Sequence, residues 1–296
     1  GACPYFWPIG DRHILLFYSH MSGGQALVGD YDEERDKFVV TSHHEFNFGP
    51  YGPAGVHAPS ATPDGKGGVI TIFNMNQGMD TQGWNQIMTL PRRLSLIDEE
   101  PVGKDMLSVE PAGDIESLRT NHKDISKMEI PANQEIVLEE IQGDTLEIMA
   151  EIETNDSPMV DLTVFRSPDK EEFTRISFYR NRGFRNWERY EGWEPGKRLD
   201  ASDSLISIDS SYSSLSSDVL SRAPETAPVY LSPDENLTLR IFLDKSVLEV
   251  FVNGKQCVAM RVYPSRADSK GVSIRSQGTS ATLKKLDAWQ MKSIYD

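Results

Sequence analysis

Hydrophobic and polar residues alternate with a period of two along much of the chain. Residues 146–153 read Leu-Glu-Ile-Met-Ala-Glu-Ile-Glu, and residues 237–243 carry Leu or Ile at every second position. Successive side chains of a strand point to opposite faces, so this pattern predicts strands with one buried and one solvated face. No helical periodicity of useful length precedes residue 112.

The first part of the chain, residues 4–97, consists of short apolar runs separated by clusters of Gly, Pro and Asp. The runs are rich in Val, Ile, Phe, Tyr and Thr, which favour strands, and the clusters indicate turns. Strands at this spacing are typical of a stack of sheets, a barrel or a propeller. The predicted strands are residues 5–9, 13–20, 26–32, 37–45, 68–76 and 85–97.

Residues 98–134 interrupt this pattern. The acidic run 98–101 and the polar run 120–127 indicate a connector, and residues 113–119 fit either a short helical turn or an extended linker. We therefore expect a domain boundary near residues 110–130.

Strand patterns resume at residue 135 and continue to residue 291. Asn253-Gly254 separates two apolar runs and is a strong signal for a type I′ hairpin, because both central residues of that turn need positive φ. The second part is predicted to be an antiparallel β-sandwich. Its predicted strands are residues 135–153, 159–166, 173–181, 204–209, 229–231, 237–244, 247–263, 271–275 and 281–291, with a serine-rich loop at 210–221.

Charge and composition exclude several classes of protein. The 296 residues include 45 acidic and 30 basic side chains, giving a net charge of -15, which argues against binding to a nucleic acid backbone. No apolar run is long enough to span a membrane, and the first residues lack the pattern of a signal peptide. Two buried thiols are favoured over a disulfide between Cys3 and Cys257.

Common catalytic and metal motifs are absent from the sequence. His43 and His44 are adjacent, so in a strand they point to opposite faces and cannot chelate one ion together. Residues 63–68 contain Gly and Lys but precede no helix, which favours a hairpin turn over a phosphate loop. Beside such turns stand four aspartates that we interpret as solvated turn carboxylates: Asp11, Asp30, Asp32 and Asp64.

An aromatic cluster offers a candidate glycan surface. Trp187, Tyr190 and Trp193 are interleaved with arginines, a composition that suits either stacking on sugars or packing of a loop against the sandwich.

Several segments together resemble the β-fructofuranosidases of glycoside hydrolase family 32, which include invertases, inulinases and levanases. Cys3-Pro4-Tyr5-Phe6 resembles the end of that family's E-C-P-D/N-F motif, and residues 55–59 are similar to its D-x-Y-A-P/A segment. Further similar segments are residues 83–96, the linker at 111–119, residues 239–263 and the closing residues 286–290.

The resemblance implies an all-β fold: residues 1–110 as the last blades of a five-bladed β-propeller, 111–134 as an interdomain linker and 135–296 as an antiparallel β-sandwich. It also implies retaining hydrolysis of fructosyl bonds without a cofactor or metal, which needs two carboxyl groups ~5 Å apart. The family's W-M-N-D-P-N-G and R-D-P motifs do not occur here, and its acid/base Glu aligns with Ala2. The sequence therefore predicts a truncated or diverged homologue that is inactive alone.

The resemblance suggests which residues contact a sugar. Cys3, Tyr5, His57, Asn74 and Trp84 match positions expected to line a glycan pocket, and packing within the blades is an equal alternative for them. A small carbohydrate or fructan is the expected ligand, with no nucleic acid or membrane partner, and either a secreted or a cytoplasmic location.

Two further expectations complete the sequence-based interpretation. Incomplete closure of a propeller leaves open strand edges, so we expect a homo-oligomer, a dimer joined through the propeller portion. The alternative function is a non-catalytic carbohydrate-binding β-protein.

Overall fold

A computed structural model describes residues 1–46, 52–97, 106–181, 204–232 and 234–295. These residues form 22 strands, arranged in four sheets whose named strand pairs are antiparallel, and one short 3₁₀ turn at Glu116–Leu118. The all-β fold predicted from the alternation is therefore confirmed. No helix in the described ranges is long and apolar enough to cross a membrane.

The first two sheets come from the N-terminal part of the chain. Each follows chain order across the sheet, β1-β2-β3-β4 and β5-β6-β8-β9, with β7 paired to β6. The first sheet is a four-stranded meander, and the second follows the same path with β7 as a fifth strand. This arrangement matches the blade geometry that the resemblance implies, and the propeller assignment stays a prediction. Their strands are β1 (Ala2–Ile9), β2 (Arg12–Ser19), β3 (Gly23–Asp32), β4 (Lys37–Phe46), β5 (Val56–Pro63), β6 (Val69–Met75), β7 (Ile87–Met88), β8 (Arg92–Ile97) and β9 (Met106–Pro111).

The other two sheets pack face to face as a β-sandwich. The seven-stranded sheet has the order β10-β22-β13-β18-β19-β20, with β11 added to β22. The six-stranded sheet has the order β12-β21-β14-β15-β16-β17. Their strands are β10 (Arg119–Ile125), β11 (Met128–Ile130), β12 (Glu135–Gln142), β13 (Thr145–Glu153), β14 (Met159–Arg166), β15 (Thr174–Tyr179), β16 (Ser204–Asp209), β17 (Glu225–Val229), β18 (Leu237–Asp244), β19 (Val247–Val252), β20 (Gln256–Arg261), β21 (Gly271–Gln277) and β22 (Ala281–Met291).

Two hydrophobic cores hold these sheets. The first lies between the sandwich sheets and contains the predicted buried face, including Ile148, Ile152 and Ile241. The second joins both N-terminal sheets to the outer face of the seven-stranded sheet, where Phe242 and Phe251 pack against apolar residues of the first two sheets. The strands β19 and β20 are consequently buried on both faces.

The predicted solvated face of the alternating strands is therefore only partly solvated. Glu147 on that face is 0% exposed, because Arg119 and Arg240 each donate 2.7 Å hydrogen bonds to its carboxylate. Arg240 also donates to Glu116 in the 3₁₀ turn, at 2.7 Å. This network ties residues 116–119 to the sandwich and supports the helical-turn alternative for part of that segment.

Several sequence-based boundaries were wrong. Residues 135–153 are two strands with a turn at Gly143-Asp144, and the predicted strand 85–97 is two strands, β7 and β8. The polar run 120–127 is not a connector, since β10 pairs with β22 at the edge of the sandwich. Strand β5 was missed, and the predicted strand 229–231 lies instead at Glu225–Val229.

Both predicted turns are confirmed. Asn253 and Gly254 have φ of 51° and 62° between β19 and β20, as a type I′ hairpin needs. Residues 64–68 close the β5–β6 hairpin.

Both cysteines are free, and Cys257 is buried, but Cys3 is exposed, so the expectation of two buried thiols was wrong for Cys3. Trp187, Tyr190 and Trp193 lie outside the described residues.

Candidate functional site

The position that matches the family acid/base lies at the beginning of the first sheet. Ala2 opens β1, and the register between β1 and β2 shifts between Ala2 and Tyr5, where Cys3 has a positive φ of 51°. The first strand of the second sheet repeats this feature, because its register shifts after His57 and Ala58 has a φ of 44°. Irregularities of this kind often redirect side chains beside functional sites.

A row of contacts connects the two irregular strand ends. Tyr18 stands opposite Ala2 in the register of β1 and β2, and its buried hydroxyl donates a 2.6 Å hydrogen bond to the carbonyl of Val56. The ring of Tyr18 meets the ring of His57 edge-on, with 5.0 Å between centroids. His57 in turn stands opposite Asn74 across β5 and β6. The structure thus brings together the predicted site positions 2, 57 and 74.

Two imidazoles face each other in this row. The rings of His20 and His57 stack with centroids 5.4 Å apart, and their Nε2 atoms are separated by 3.4 Å. Burial lowers the pKa of His57, and the neighbouring His20 lowers it further. A neutral imidazole both donates and accepts hydrogen bonds, which suits sugar hydroxyls. In the part of the chain that the structure describes, no group of three metal-ligating side chains occurs.

Side-chain amides extend the polar row beyond His57. Asn74 and Gln86 both donate from their amide nitrogens to Oδ1 of Asn76, at 3.3 Å each. Amides present donors and acceptors together, so this cluster provides further partners for hydroxyl groups. The arrangement can hold and orient a polyol.

The other predicted site residues have different surroundings. Tyr5 is half-buried and packs against the second hydrophobic core, as its packing alternative proposed. Cys3 is exposed beside the irregular turn of β1. Trp84 is 48% exposed, and the guanidinium of Arg261 on the sandwich lies 4.8 Å from the centroid of its ring.

Sequence reasoning missed Tyr18 and His20. Tyr18 lies near the end of β2 and His20 directly follows that strand, and neither belongs to a recognisable motif. Their role depends on the register of β1 with β2 and on the packing of β2 against β5, and no local pattern reveals these pairings.

One of the four turn aspartates, Asp64, has a buried and hydrogen-bonded side chain. The interpretation of Asp64 as a solvated carboxylate was wrong, because its side chain is 7% exposed and accepts a 2.6 Å hydrogen bond from Arg93. A backbone hydrogen bond from Lys66, and others from Gly68 and Arg93, lower the pKa of Asp64. Asp64 follows the far end of β5, away from the row described above. Among the described residues, the pairing of Ala2 with Tyr18, the hydrogen bond from Tyr18 to Val56 and the edge-on contact of Tyr18 with His57 involve no carboxyl group.

A family model for the C-terminal region of glycosyl hydrolases family 32 matches residues 114–290. The chain belongs to this family. The matched residues span the 3₁₀ turn and nearly the whole sandwich.

Curated family 32 proteins resemble the chain over almost its whole length. The sucrose-6-phosphate hydrolase of Escherichia coli is 26% identical over 98% of this chain and 55% of its own length. The cell wall isozyme of β-fructofuranosidase from Pisum sativum is 26% identical over 90% of this chain and 54% of its own length. The chain thus spans about half the length of these curated relatives.

Solved structures of the family share the fold. Fructan 1-exohydrolase IIa from Cichorium intybus superposes with a TM-score of 0.79 at 18% identity, covering 99% of this chain and 62% of its own. The exo-inulinase of Aspergillus awamori gives a TM-score of 0.72 at 16% identity, covering 99% of this chain and 57% of its own. At these identities the likeness establishes the fold alone.

Proposed function

We propose that these residues form one wall of a fructoside-binding pocket of the family 32 type and do not hydrolyse fructosides by themselves. The observation that carries this proposal is the row of Tyr18, His57 and Asn74 that ends at Ala2. Imidazole and amide groups along the row suit the hydroxyls of a fructosyl unit. Ala2 has no ionisable group, so it cannot donate a proton to a leaving oxygen.

The relatives support the substrate class. Their names describe hydrolysis of sucrose 6-phosphate, β-fructofuranosides and fructans. Retaining cleavage of such bonds requires a nucleophile and an acid/base group, and this chain lacks the family's motif for each. We therefore assign binding to the described wall and assign no cleavage step to these residues.

The test measures cleavage and binding separately. The chain is incubated with sucrose, inulin and levan while released fructose is assayed, and turnover by this chain would contradict the proposed inactivity. Binding of the same sugars is titrated calorimetrically for the wild-type chain and for His57→Ala. We expect binding that weakens by about tenfold in the variant, as the loss of one or two hydrogen bonds predicts.

Complementation provides a second arm of this test. A family member's N-terminal half, carrying the two aspartate motifs, is mixed with the wild-type chain or with Ala2→Glu. Fructose release only with Ala2→Glu would support the assignment of Ala2 to the acid/base position.

A second candidate function is glycan binding without any catalytic role. It is favoured by a groove of about 400 Å³ between β9 and the outer face of the seven-stranded sheet, lined by charged and amide groups such as Glu110, Asn253 and Lys285. A sugar-dependent signal that survives His57→Ala but is lost on Lys285→Ala would favour this groove over the row at Ala2.

A further inference from the structure

A second, smaller cavity lies where the serine-rich loop covers the junction between the second sheet and the sandwich. Its volume is about 240 Å³, and its lining includes six serines between residues 210 and 221 together with Arg222 and Arg261. The loop is fixed to the second sheet by a 2.7 Å hydrogen bond from the backbone of Leu220 to the carbonyl of Gly78. This cavity is separate from the row at Ala2, because its lining contains none of Ala2, Tyr18, His57 and Asn74.

Arg261 is the decisive residue of this cavity. It is 1% exposed, and two of its nitrogens donate to neutral acceptors: Nη1 to the carbonyl of Asn85 at 3.0 Å and Nη2 to the hydroxyl of Ser246 at 3.1 Å. Its third nitrogen, Nε, is buried and has no hydrogen-bond partner among the described residues. The rings of Trp84 and Tyr263 lie 4.8 and 4.9 Å from the guanidinium.

Arg261 differs from other buried arginines in lacking an anionic partner. Arg92 pairs with Glu249 and Arg222 pairs with Glu225, whereas no carboxylate of the described residues lies within ion-pair distance of Arg261. A guanidinium stays charged in a protein interior, and an uncompensated buried charge is costly. The site therefore holds a positive charge and a donor without an acceptor.

The serine hydroxyls supply further donors. Ser214 Oγ accepts from the backbone of Ser216, and Ser216 Oγ accepts from the backbone of Asp218, at 3.2 Å each. A hydroxyl that accepts from a backbone N–H still has its own O–H to donate. Together with the guanidinium of Arg261, these hydroxyls give the cavity lining several hydrogen-bond donors and a positive charge, which suit a ligand with several acceptor oxygens and a negative charge.

We propose that this cavity binds a phosphate group, held by Arg261 and the hydroxyls of Ser214 and Ser216. The cavity is smaller than the roughly 300–1,000 Å³ typical of organic ligand pockets, which favours a small anion over an oligosaccharide. The ligand is either inorganic phosphate or a phosphate monoester whose remaining part extends out of the cavity.

The test is calorimetric titration of the whole chain with inorganic phosphate, with fructose 6-phosphate and with fructose at constant ionic strength. We expect both phosphates to bind and fructose not to bind at this site. A higher affinity for fructose 6-phosphate would identify the monoester as the ligand, and an equal or lower affinity would identify free phosphate. If the wild-type chain binds neither phosphate, the proposal is overturned.

Two variants locate the binding. Arg261→Gln removes the charge, and Ser216→Asp places a carboxylate in the cavity as an internal competitor; each should weaken phosphate binding by about tenfold or more. Ser217→Asp, which adds the same charge beside the cavity lining, is the matched control and should bind as the wild type does. If Arg261→Gln fails to fold, Ser216→Asp decides alone, and unchanged binding in Ser216→Asp would overturn the proposal.

Discussion

The guanidinium of Arg92 on β8 donates a 2.9 Å hydrogen bond to the carboxylate of Glu249 on β19, and both side chains are 1% exposed. The same carboxylate accepts a 2.6 Å hydrogen bond from the backbone of Leu90. The rings of Phe73 and Phe251 lie 5.1 and 5.9 Å from the guanidinium. A single ion pair thus links the second sheet to the sandwich inside their shared apolar core.

Breaking this pair should destabilise the whole fold. Arg92→Met leaves the Glu249 carboxylate buried without its cation, and such losses cost about 3–5 kcal/mol. We expect the free energy of unfolding, measured by urea denaturation, to fall by that amount. Adding Glu249→Leu should recover part of the loss, because no charge then stays buried.

Arg93→Met is the matched control for Arg92→Met. Its guanidinium is 34% exposed and pairs with Asp64 at the surface side of the same strand. Because Arg93 is partly exposed and Asp64 keeps its hydrogen bonds from the backbones of Lys66 and Gly68, we expect Arg93→Met to cost about 1 kcal/mol or less. If both variants lost equal stability, the proposed importance of the buried pair would be wrong.

Glu172 connects three loops of the sandwich. Although burial opposes ionisation of Glu172, hydrogen bonds from Ser265, Ser269 and the backbones of Leu215 and Arg266 outweigh it and lower its pKa to about 2. Ser265 donates to Glu172 from both its backbone and its hydroxyl. The hydrogen bonds from the backbones of Leu215, Ser265 and Arg266 and from the hydroxyl of Ser269 measure 3.0 Å or less. The charged form is therefore favoured in the folded chain.

This carboxylate should give the fold a measurable acid dependence. A depressed folded pKa stabilises the chain above the ordinary pKa of 4.5, and this contribution is lost as the pH falls from about 5 towards 2. Glu172→Gln should cost about 1–3 kcal/mol at pH 7 and flatten the stability profile over that range. Glu171→Gln, whose side chain is largely exposed and pairs with Arg266, is the neighbouring control and should cost less stability at pH 7 than Glu172→Gln. An equal loss in both variants would refute the assignment.

The hairpin residue Asn253 should be important for stability. Its side chain accepts a 2.9 Å hydrogen bond from the backbone of Thr238 and donates one of 2.8 Å to the carbonyl of Asn236, while its φ of 51° favours Asn over other residues. We expect Asn253→Ala to reduce the melting temperature, with a loss of about 1–3 kcal/mol. Asn253→Gly, which relieves the backbone but loses the hydrogen bonds, should lie between Asn253→Ala and the wild type.

Phe6 lies on β1, an edge strand of the first sheet, where we expect the dimer to form through open strand edges. Phe6 is 39% exposed, stacks on His13 with centroids 5.2 Å apart, and contacts Tyr31 and Phe38 edge-on. We predict self-association in sedimentation equilibrium and its weakening by Phe6→Asp. Leu215→Asp changes a more exposed apolar residue of the sandwich and should leave association unchanged. A wild-type chain that sediments as a monomer would contradict the prediction.

How well the sequence predicts each element depends on whether its signal is local. The Asn253-Gly254 hairpin and the alternation of residues 146–153 follow from turn chemistry and strand periodicity, so they were predicted correctly. Strand β10 was not, because its polar residues look like a linker and its strand character comes from pairing with β22 at the far end of the chain.

The candidate site shows the same division. Ala2, His57 and Asn74 were identified through motifs that resemble the family, whereas Tyr18 and His20 depend on register and on packing between sheets. The expectation that Asp64 is solvated failed for a related reason, since Arg93 reaches it from a neighbouring strand.

The seven-stranded sheet is buried on both sides over β19 and β20, and this limits how the chain can be divided. A recombinant fragment restricted to the family-matched region would present Phe242, Val247 and Phe251 to water. Such a fragment would precipitate or recruit chaperones. Any attempt to produce the sandwich as a free-standing module therefore has to redesign that surface with hydrophilic side chains before its ligand binding can be measured.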